Sequence, residues 1–371
     1  MARITILILM MLVASGCAQR GRIVIDPQAA SIGKVETVLV GTTRAPDPQS
    51  NEPYSRLRSP RTRYVRLDIS VPPERQPGEI RWTPVGARPD PRREFVTTAE
   101  IPYASAASFR RDLSARLARR PRGQREAVIF VHGFNTTFAE GAYRLAQLAH
   151  DLGSPGVLVH YAWPSRGYPL AYAYDRDSAL YARDGLEELI EQVAAAGAGR
   201  ILIVAHSMGS LLTMETLRQI ALQDKRALMA RIGGVVLISP DLDVDLFRAQ
   251  ARRIGELPQP FLIFTSQRDR ALALSARLTG ESMRLGNLTD VDALADLKVT
   301  ILDITAFSRG LGHFALGESP ALIGILSRIG DINAALARER SGRTGLLPGV
   351  VLTVQNATAV ILTPIAAQSP P

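Results

Sequence analysis

The sequence predicts an α/β protein built on a mostly parallel central sheet of about eight strands, with helices on both faces of that sheet. Short apolar runs such as residues 127–131 and 200–205 have the composition of strands that are buried on both faces. Amphipathic segments of helical length lie between them, and repeated strand–helix units build parallel sheets covered by helices. A hydrophobic fraction of 46% is ample for a core of this size. The 371 residues therefore indicate one large α/β domain.

The chain begins like an exported protein. Residues 1–3 give a short positive start through Arg3, residues 4–13 are apolar apart from one threonine, and three small residues precede Cys17, the only cysteine. These features are typical of a secretory signal, and the apolar run is shorter than the roughly 20 residues that span a bilayer. Residues 14–17 (Ala-Ser-Gly-Cys) also resemble the bacterial lipoprotein signal, in which the cysteine is acylated and becomes the mature N-terminus. We expect removal of residues 1–16 and lipidation of Cys17, with an ordinary cleaved signal as the alternative.

This N-terminus predicts a location in the cell envelope. A lipidated Cys17 would anchor the chain to the membrane. Ala18 favours the outer membrane, facing the periplasm, because an aspartate at that position often signals retention in the inner membrane. A chain with one cysteine forms no internal disulfide, so we expect the exported core to be stable without one.

The charge of the chain is basic, with 44 Lys and Arg against 35 Asp and Glu and a net charge of +9. Nearly all of the basic residues are arginines, and they are scattered along the chain. This pattern is typical of solvated helix faces, although attraction to anionic lipid headgroups is a second interpretation. We expect no nucleic-acid partner in this compartment.

The first part of the chain predicts a tether, then antiparallel strands. Residues 18–34 contain no periodic segment and read as a tether that leads into the domain. The elements expected after it are a strand at 36–41, an edge strand at 63–71, a loop at 72–93 with a short hairpin near residues 80–82, and a helix at 108–119.

The regular alternation follows. Strands are expected at 127–131, 157–163, 200–205, 234–238, 261–265 and 299–304, with helices at 138–152, 170–196, 210–222 and from about residue 244. The apolar stretch 345–367 is broken by proline, glutamine and asparagine, which favours a packed β-like extension over a membrane span. We therefore expect one domain over 35–340 and a C-terminal extension over 341–371.

The strongest chemical signal is Ala205-His206-Ser207-Met208-Gly209, at the point where a buried strand turns into a helix. A serine hydroxyl is a poor nucleophile unless a base removes its proton. A strand–turn–helix elbow raises Oγ above the sheet and needs small residues two before and two after the serine. Alanine stands here where glycine is usual. Ser207 is the predicted nucleophile.

A second signal predicts the oxyanion hole. His132-Gly133-Phe134-Asn135 directly follows the buried strand at 127–131. In a hydrolase elbow of this kind, one N–H comes from the residue after the nucleophile and one from the loop after an earlier strand. The predicted donors are the backbone N–H groups of Met208 and Phe134. An ordinary strand-end turn is the alternative reading.

Five histidines compete for the role of base. His132 and His206 adjoin the other site residues, His150 lies on a predicted helix, and His160 in a buried strand reads as a core residue. His313 lies in a glycine-flanked loop after the last predicted strand of the domain. Such a loop can place an imidazole over the elbow, so His313 is the predicted base.

Asp269, which follows the strand at 261–265, is the predicted acid that orients the base. The chain order Ser207, Asp269, His313 is the nucleophile–acid–base order of α/β-hydrolases. Asp241, Asp243 and Asp245 are the rivals, and their alternative role is loop hydrogen bonding and helix capping.

The sequence resembles the bacterial α/β-hydrolase family of unknown function that is often labelled as esterase/lipase superfamily. The likeness covers residues 35–335 and is carried by the elbow and by residues 40–44 (Val-Gly-Thr-Thr-Arg), 131–135, 163–167 (Trp-Pro-Ser-Arg-Gly), 174–175 (Tyr-Asp), 239–241 (Ser-Pro-Asp), Asp269 and 271–272 (Ala-Leu). The resemblance implies the α/β-hydrolase fold and a catalytic triad. It assigns no catalytic role to residues 163–167 or to Asp175. Trp163, Tyr168 and Tyr172 are candidate walls of an acyl pocket, with simple packing as the alternative.

These residues predict a serine hydrolase that cleaves a carboxylic ester of a small molecule or a lipid. No long insertion offers a large lid, which favours an open site. No metal-ligand spacing or phosphate-binding glycine loop is present in the sequence, so no cofactor and no metal are expected. Two alternatives stay open: a non-catalytic binding protein of the cell envelope, and an acyltransferase that uses the same triad.

Overall fold

The computed structural model describes residues 20–48, 52–280, 283–308, 312–329 and 349–362. The predicted signal sequence and Cys17 lie outside the described residues, as do most of the predicted C-terminal extension and part of the loop before His313. Among the described residues, no helix is long and apolar enough to cross a membrane.

Eleven strands form one sheet in the described part of the chain. In chain order they are β1 (Lys34–Pro46), β2 (Tyr54–Val71), β3 (Val96–Pro102), β4 (Glu126–Val131), β5 (Val157–Ala162), β6 (Arg200–His206), β7 (Ile232–Ile238), β8 (Phe261–Thr265), β9 (Thr300–Asp303), β10 (Gly349–Val354) and β11 (Ala357–Leu362). The spatial order is β10-β11-β9-β8-β7-β6-β4-β5-β1-β2-β3.

The helices cover this sheet. In chain order they are α1 (Ala106–Ala118), α2 (Phe138–Leu152), α3 (Tyr172–Tyr181), α4 (Arg183–Ala195), α5 (Met208–Leu222), α6 (Arg226–Met229), α7 (Val244–Ile254), α8 (Arg270–Leu278), α9 (Ala315–Glu318) and α10 (Pro320–Ile329). Short 3₁₀-helices include Pro27–Ser31 and Pro169–Ala171.

The sheet is mostly parallel, as predicted, but it is wider than the eight or so strands expected. Neighbouring strands from β1 through β5, β4, β6, β7, β8 and β9 to β11 pair in parallel, and antiparallel pairs occur only at the two edges among the described strands. The additional strands are β3 at one edge and the β10–β11 hairpin at the other. The hairpin contains the β-structure predicted for the tail, and it extends the sheet beyond β9.

The core lies in two layers, one on each face of the sheet. Ile129 and Ile203 belong to one layer, whereas Phe130 belongs to the other, as expected from the alternation of side chains along a strand. The central strands β4 and β5 are buried along nearly their whole length, which explains their continuous apolar sequences. Parallel strands also end at one edge, so the loops after β4, β6, β8 and β9 meet there.

Three expectations from the sequence are wrong. The long helix predicted at 170–196 is two helices, α3 and α4, which meet at Ala182. Helical backbone hydrogen bonds continue across this point, from the Ala182 N–H to the Ser178 carbonyl at 3.0 Å and from the Leu186 N–H to the Ala182 carbonyl at 3.1 Å. The hydroxyl of buried Tyr161 also donates to the Ala182 carbonyl, at 2.6 Å. No hairpin forms at residues 80–82, where the described backbone makes one bond, from Phe95 N to the Arg81 carbonyl. Residues 20–33, expected as a tether, lie against the body, and Ile23 and Ala29 are buried.

Candidate active site

The nucleophile elbow is a sharp turn between β6 and α5. Ser207 separates them with φ 52° and ψ −125°, a backbone conformation that side-chain-bearing residues rarely adopt. The Ser207 N–H donates to the carbonyl of Ile238 in the neighbouring strand β7 at 2.9 Å. This bond ties the strained turn to the sheet, and strain of this kind is found where the surrounding structure holds it for a functional purpose.

The small residues around Ser207 are required by close backbone contacts. A Cβ atom added to Gly209 would lie 2.6 Å from the carbonyl oxygen of Val131 at the end of β4. Ala205 is fully buried, and its backbone pairs with Val131 in β4 and with Leu237 in β7. The elbow is therefore pressed against the end of β4, and this contact brings it to the loop that follows that strand.

The oxyanion loop, residues 132–137, touches the elbow directly. A Cβ atom added to Gly133 would lie 2.8 Å from the Cβ of Ser207 and 2.7 Å from Nδ1 of His206, so only glycine fits. Asn135 in the same loop has a positive φ of 56°. The backbone N–H groups of Phe134 and Met208 donate to no acceptor among the described residues. Both predicted oxyanion donors are thus unused in this structure.

The structure brings the predicted acid and base together. Nδ1 of His313 lies 2.8 Å from Oδ2 of Asp269, a hydrogen bond in which the ring donates to the carboxylate. The Asp269 side chain is fully buried, and its Oδ1 accepts from the Leu272 N–H at 3.0 Å as the N-cap of α8. The acid is therefore fixed by the start of a helix, and the base is oriented by the acid.

His313 lies beside the elbow, in contact with the residue before the nucleophile. The His313 and His206 rings are tilted against each other with centroids 4.8 Å apart, and Nε2 of His206 lies 3.2 Å from the His313 carbonyl oxygen. The Ser207 hydroxyl has no hydrogen-bond partner among the described residues, and Ser207 is 2% exposed. Two members of the predicted triad, Asp269 and His313, are therefore hydrogen-bonded to each other, while no hydrogen bond joins His313 to the Ser207 hydroxyl.

The rival carboxylates have other roles. Asp241 accepts hydrogen bonds from Tyr172 at 2.9 Å and Ser275 at 2.5 Å, and the guanidinium of Arg284 lies 3.3 Å from it. Asp243 caps α7 through the Leu246 N–H, as the alternative reading expected.

Burial lowers the pKa of three other histidines, which makes their rings weaker bases. Burial brings the pKa of His160 down to about 3, and it holds the pKa values of His132 and His206 well below their usual range. The buried rings of His132, the first residue of the oxyanion loop, and His160 in β5 have centroids 5.5 Å apart. His150 lies at the protein surface, 3.4 Å from Glu36.

Asp175 has a role that the sequence did not reveal: it holds the oxyanion loop. Its carboxylate is fully buried and accepts hydrogen bonds from the Ser165 hydroxyl at 2.5 Å, from the Arg166 N–H at 2.7 Å and from the Asn135 N–H at 3.3 Å. Ser165 Oγ in turn accepts from the Thr136 N–H at 3.1 Å. Burial raises the pKa of Asp175.

Two arginines complete the support of this loop. Buried Arg44 donates to the carbonyls of Thr136 at 2.8 Å and Ser165 at 3.1 Å, and burial lowers its pKa to about 10. Arg20 donates to the Asn135 side chain at 2.9 Å and carbonyl at 2.8 Å, and it pairs with Glu140 at 2.7 Å. The sequence marked residues 40–44 and Asp175 without a role, and it assigned Arg20 to a tether.

A cavity of about 390 Å³ opens next to these groups. Its lining includes Trp82, Phe130, Gly133, Arg144, His206 and His313. Of the predicted pocket walls, Tyr172 packs edge-on against Phe134 with centroids 5.3 Å apart. Trp163 is buried and stacks on His132, whereas Tyr168 is 53% exposed. No group of three or more potential metal ligands occurs among the described residues.

Comparison with known proteins gives a family and weak structural likenesses. Residues 105–340 match the family described as alpha/beta hydrolase of unknown function (DUF900). No curated protein matches the sequence. Lipase B of Aspergillus fumigatus is similar at 16% identity and a TM-score of 0.35, over 54% of this chain and 51% of the lipase, so the chain spans about half of that enzyme's length. The chain is also similar to a solved structure from a description of two fungal esterases of Rhizomucor miehei. The identity is 15% and the TM-score 0.34, over 85% of this chain and 86% of that chain.

Proposed function

The chain belongs to the family of α/β-hydrolases of unknown function, and we propose that it is a serine hydrolase that cleaves carboxylic esters. The α/β-hydrolase fold predicted from the sequence is confirmed. The observation that carries the proposal is the hydrogen bond of 2.8 Å between Asp269 and His313, on an imidazole that packs against the nucleophile elbow. A buried carboxylate on Nδ1 leaves Nε2 of that ring as the proton acceptor.

In the proposed mechanism, Ser207 Oγ attacks the ester carbonyl carbon while its proton passes to Nε2 of His313. Asp269 holds the ring and stabilises the imidazolium that forms. The N–H groups of Phe134 and Met208 stabilise the negative charge on the carbonyl oxygen, and each such donor contributes a few kcal/mol. The imidazolium then protonates the leaving alcohol. Water next attacks the acyl group on Ser207 while His313 takes its proton, and the imidazolium returns that proton to Ser207 Oγ as the carboxylic acid leaves. The nucleophile–base hydrogen bond must form for this reaction, and such bonds often tighten only with bound substrate.

The test is a panel of p-nitrophenyl esters of graded chain length, assayed with the wild type and the Ser207→Ala variant. We expect ester hydrolysis by the wild type and a loss of about 10³-fold or more in the variant. Ser210→Ala is the matched control, because Ser210 is buried one helical turn further along the same helix and its hydroxyl contacts only the Ala205 carbonyl among described residues. Hydrolysis that survives in Ser207→Ala would contradict the proposal. Product analysis with added alcohols distinguishes acyl transfer from hydrolysis.

We also propose that the chain is exported and anchored in the outer membrane through acylated Cys17. The support is the sequence alone: a basic start, a short apolar run and a cysteine after three small residues. Metabolic labelling with an alkynyl fatty acid tests it. We expect the label in the wild type and its loss in Cys17→Ser, and equal labelling of the two chains would contradict the proposal.

A further inference from the structure

Helix α8 exposes an apolar and basic stripe close to the candidate acid. Leu274 is 58% exposed and Leu278 is 64% exposed, although both are large aliphatic side chains. Arg270 and Arg277 are also exposed and lie on the same side of the helix, because residues separated by four, seven and eight positions fall on one face. The opposite face of the helix carries the buried residues Leu272 and Ala276.

A second exposed apolar group lies next to this helix. Leu170 is 83% exposed and Tyr168 is 53% exposed, at the start of the segment that leads into α3. The segment that carries this group is held against the helix, because the hydroxyls of Tyr172 and Ser275 both donate to Asp241 and their oxygens lie 2.7 Å apart. The name rim patch is used below for Tyr168, Leu170, Arg270, Leu274, Arg277 and Leu278.

The rim patch is located at the candidate site. Asp269 is the N-cap of α8, so Leu274 and Leu278 lie about 8 and 14 Å along the helix from the acid, at a rise of about 1.5 Å per residue. Tyr172 contacts Phe134, a predicted oxyanion donor, with ring centroids 5.3 Å apart. The two elements that carry the rim patch therefore also carry or contact residues of the candidate site, Asp269 and Phe134.

The chemistry of the rim patch indicates a lipid surface. The exposed guanidinium groups of Arg270 and Arg277 place positive charge beside the leucines, which favours an anionic partner. Exposed apolar side chains clustered on a rim mark interaction sites. Leucine and arginine interleaved on one helical face are typical of helices that lie in the plane of the headgroups, with the aliphatic chains buried and the guanidinium groups at the phosphates.

We propose that the rim patch docks this protein onto an anionic phospholipid bilayer and presents the candidate site to esters in that bilayer. Docking stands independently of catalysis, whereas the bilayer ester as substrate rests on the proposed function. The patch is a contact separate from the proposed acyl group on Cys17, and it would orient the anchored protein with its active-site edge toward the lipid.

A local probe tests the docking. Leu274→Cys and Leu222→Cys are each placed in the full chain with Cys17→Ser and labelled with an environment-sensitive fluorophore. Leu222 is a matched control, since it is 44% exposed and lies at the opposite end of α5 from Ser207. With phosphatidylglycerol vesicles we expect a blue shift and quenching by nitroxide lipids at residue 274 and neither at residue 222. Equal responses at the two positions, or none at residue 274, would overturn the proposal, and a local probe reports this whatever the N-terminus binds.

An activity ratio tests the consequence. The substrates are one ester carried in phosphatidylglycerol vesicles and one water-soluble ester. For Leu274→Glu/Leu278→Glu we expect the ratio of vesicle to soluble hydrolysis to fall about tenfold or more, because charge in place of leucine opposes insertion. Leu222→Glu should leave the ratio unchanged, and an unchanged ratio in the double variant would overturn the proposal. If the probe at residue 274 inserts but the wild type hydrolyses neither ester, the proposed function is contradicted and the docking stands.

Discussion

The two sides of Ser207 are held in different ways. On one side, the oxyanion loop is supported by Asp175, Arg44 and Arg20, which come from distant parts of the chain and make several hydrogen bonds to its backbone. On the other side, the imidazole of His313 has one hydrogen-bond partner among the described residues, Asp269. The predicted oxyanion donors are therefore positioned by a buried polar network, whereas the predicted base is oriented by a single carboxylate.

This difference predicts two classes of variant. On the oxyanion side, stability and activity should fall together, because the supporting groups are buried and leave unpaired partners behind. On the acid–base side, activity should fall with little loss of stability, because the His313 side chain is 23% exposed and has one hydrogen-bond partner among the described residues. Activity and thermal unfolding measured on the same variants separate the classes.

The largest effect is expected for His313→Ala. Loss of the base should reduce kcat about 10³-fold or more, since Ser207 then has no proton acceptor. The free energy of unfolding should change by about 1 kcal/mol or less. Steady-state kinetics and thermal melts test both values. Retention of a tenth of the wild-type kcat would show that another group is the base.

Asp175→Asn should come next. The amide keeps the shape but cannot accept all three hydrogen bonds, so the oxyanion loop should lose its position and kcat should fall about 10- to 100-fold. Stability should fall by about 2 to 4 kcal/mol, because buried Arg44 then lacks a nearby negative charge. Urea unfolding and kinetics of one preparation measure both losses. A full loss of activity without any loss of stability would place Asp175 in the chemistry instead.

The pH dependence of stability should also differ between the two sides. Burial lowers the folded-state pKa of His160 to about 3, below its usual 6.5, so the stability present above pH 6.5 is lost as the pH falls from 6.5 toward 3. His160→Asn should therefore gain about 2 kcal/mol relative to the wild type between pH 8 and pH 5. Urea unfolding at the two pH values measures this change. A difference that stays constant with pH would mean that His160 does not titrate on unfolding in this range.

The smallest effect is expected for Arg20→Ala. Its guanidinium is partly exposed and supports the oxyanion loop from outside, so we expect a loss of about 3- to 10-fold in kcat and a change in stability of about 1 kcal/mol or less. Partial recovery of kcat on addition of guanidinium ion would show that the loss of kcat comes from the missing contact to Asn135. Arg226→Ala, at an arginine paired only on the surface, is the control and should change neither kcat nor the response to guanidinium.

The sequence predicted elements whose signals are local. The helix at Phe138–Leu152 was predicted with its observed bounds from its amphipathic spacing and from the glycine that ends it. In the structure, Thr137 and Glu140 form a capping box and Gly153 has a positive φ of 65°. The strand at Phe261–Thr265 was predicted in the same way, from a short apolar run. The break at Ala182 was not predictable, because alanine and arginine at positions 182 and 183 both favour a helix.

The candidate site was predicted where the chain itself imposes the geometry. The elbow at Ser207 and the turn at Gly133 follow strands, so their sequence neighbours identify them. Arg44 was unpredictable as a structural residue, since arginine in a sequence reads as exposed and only the fold shows that this one is buried. Arg20 was missed because its partners, Asn135 and Glu140, lie more than 100 residues away.

The most direct test of the central claim is mass spectrometry after reaction with a fluorophosphonate, which modifies only an activated serine. We expect one adduct on the peptide that contains Ser207, a labelling rate reduced at least a hundredfold in His313→Ala, and no adduct in Ser207→Ala. An adduct elsewhere, or equal labelling of the wild type and Ser207→Ala, would contradict it.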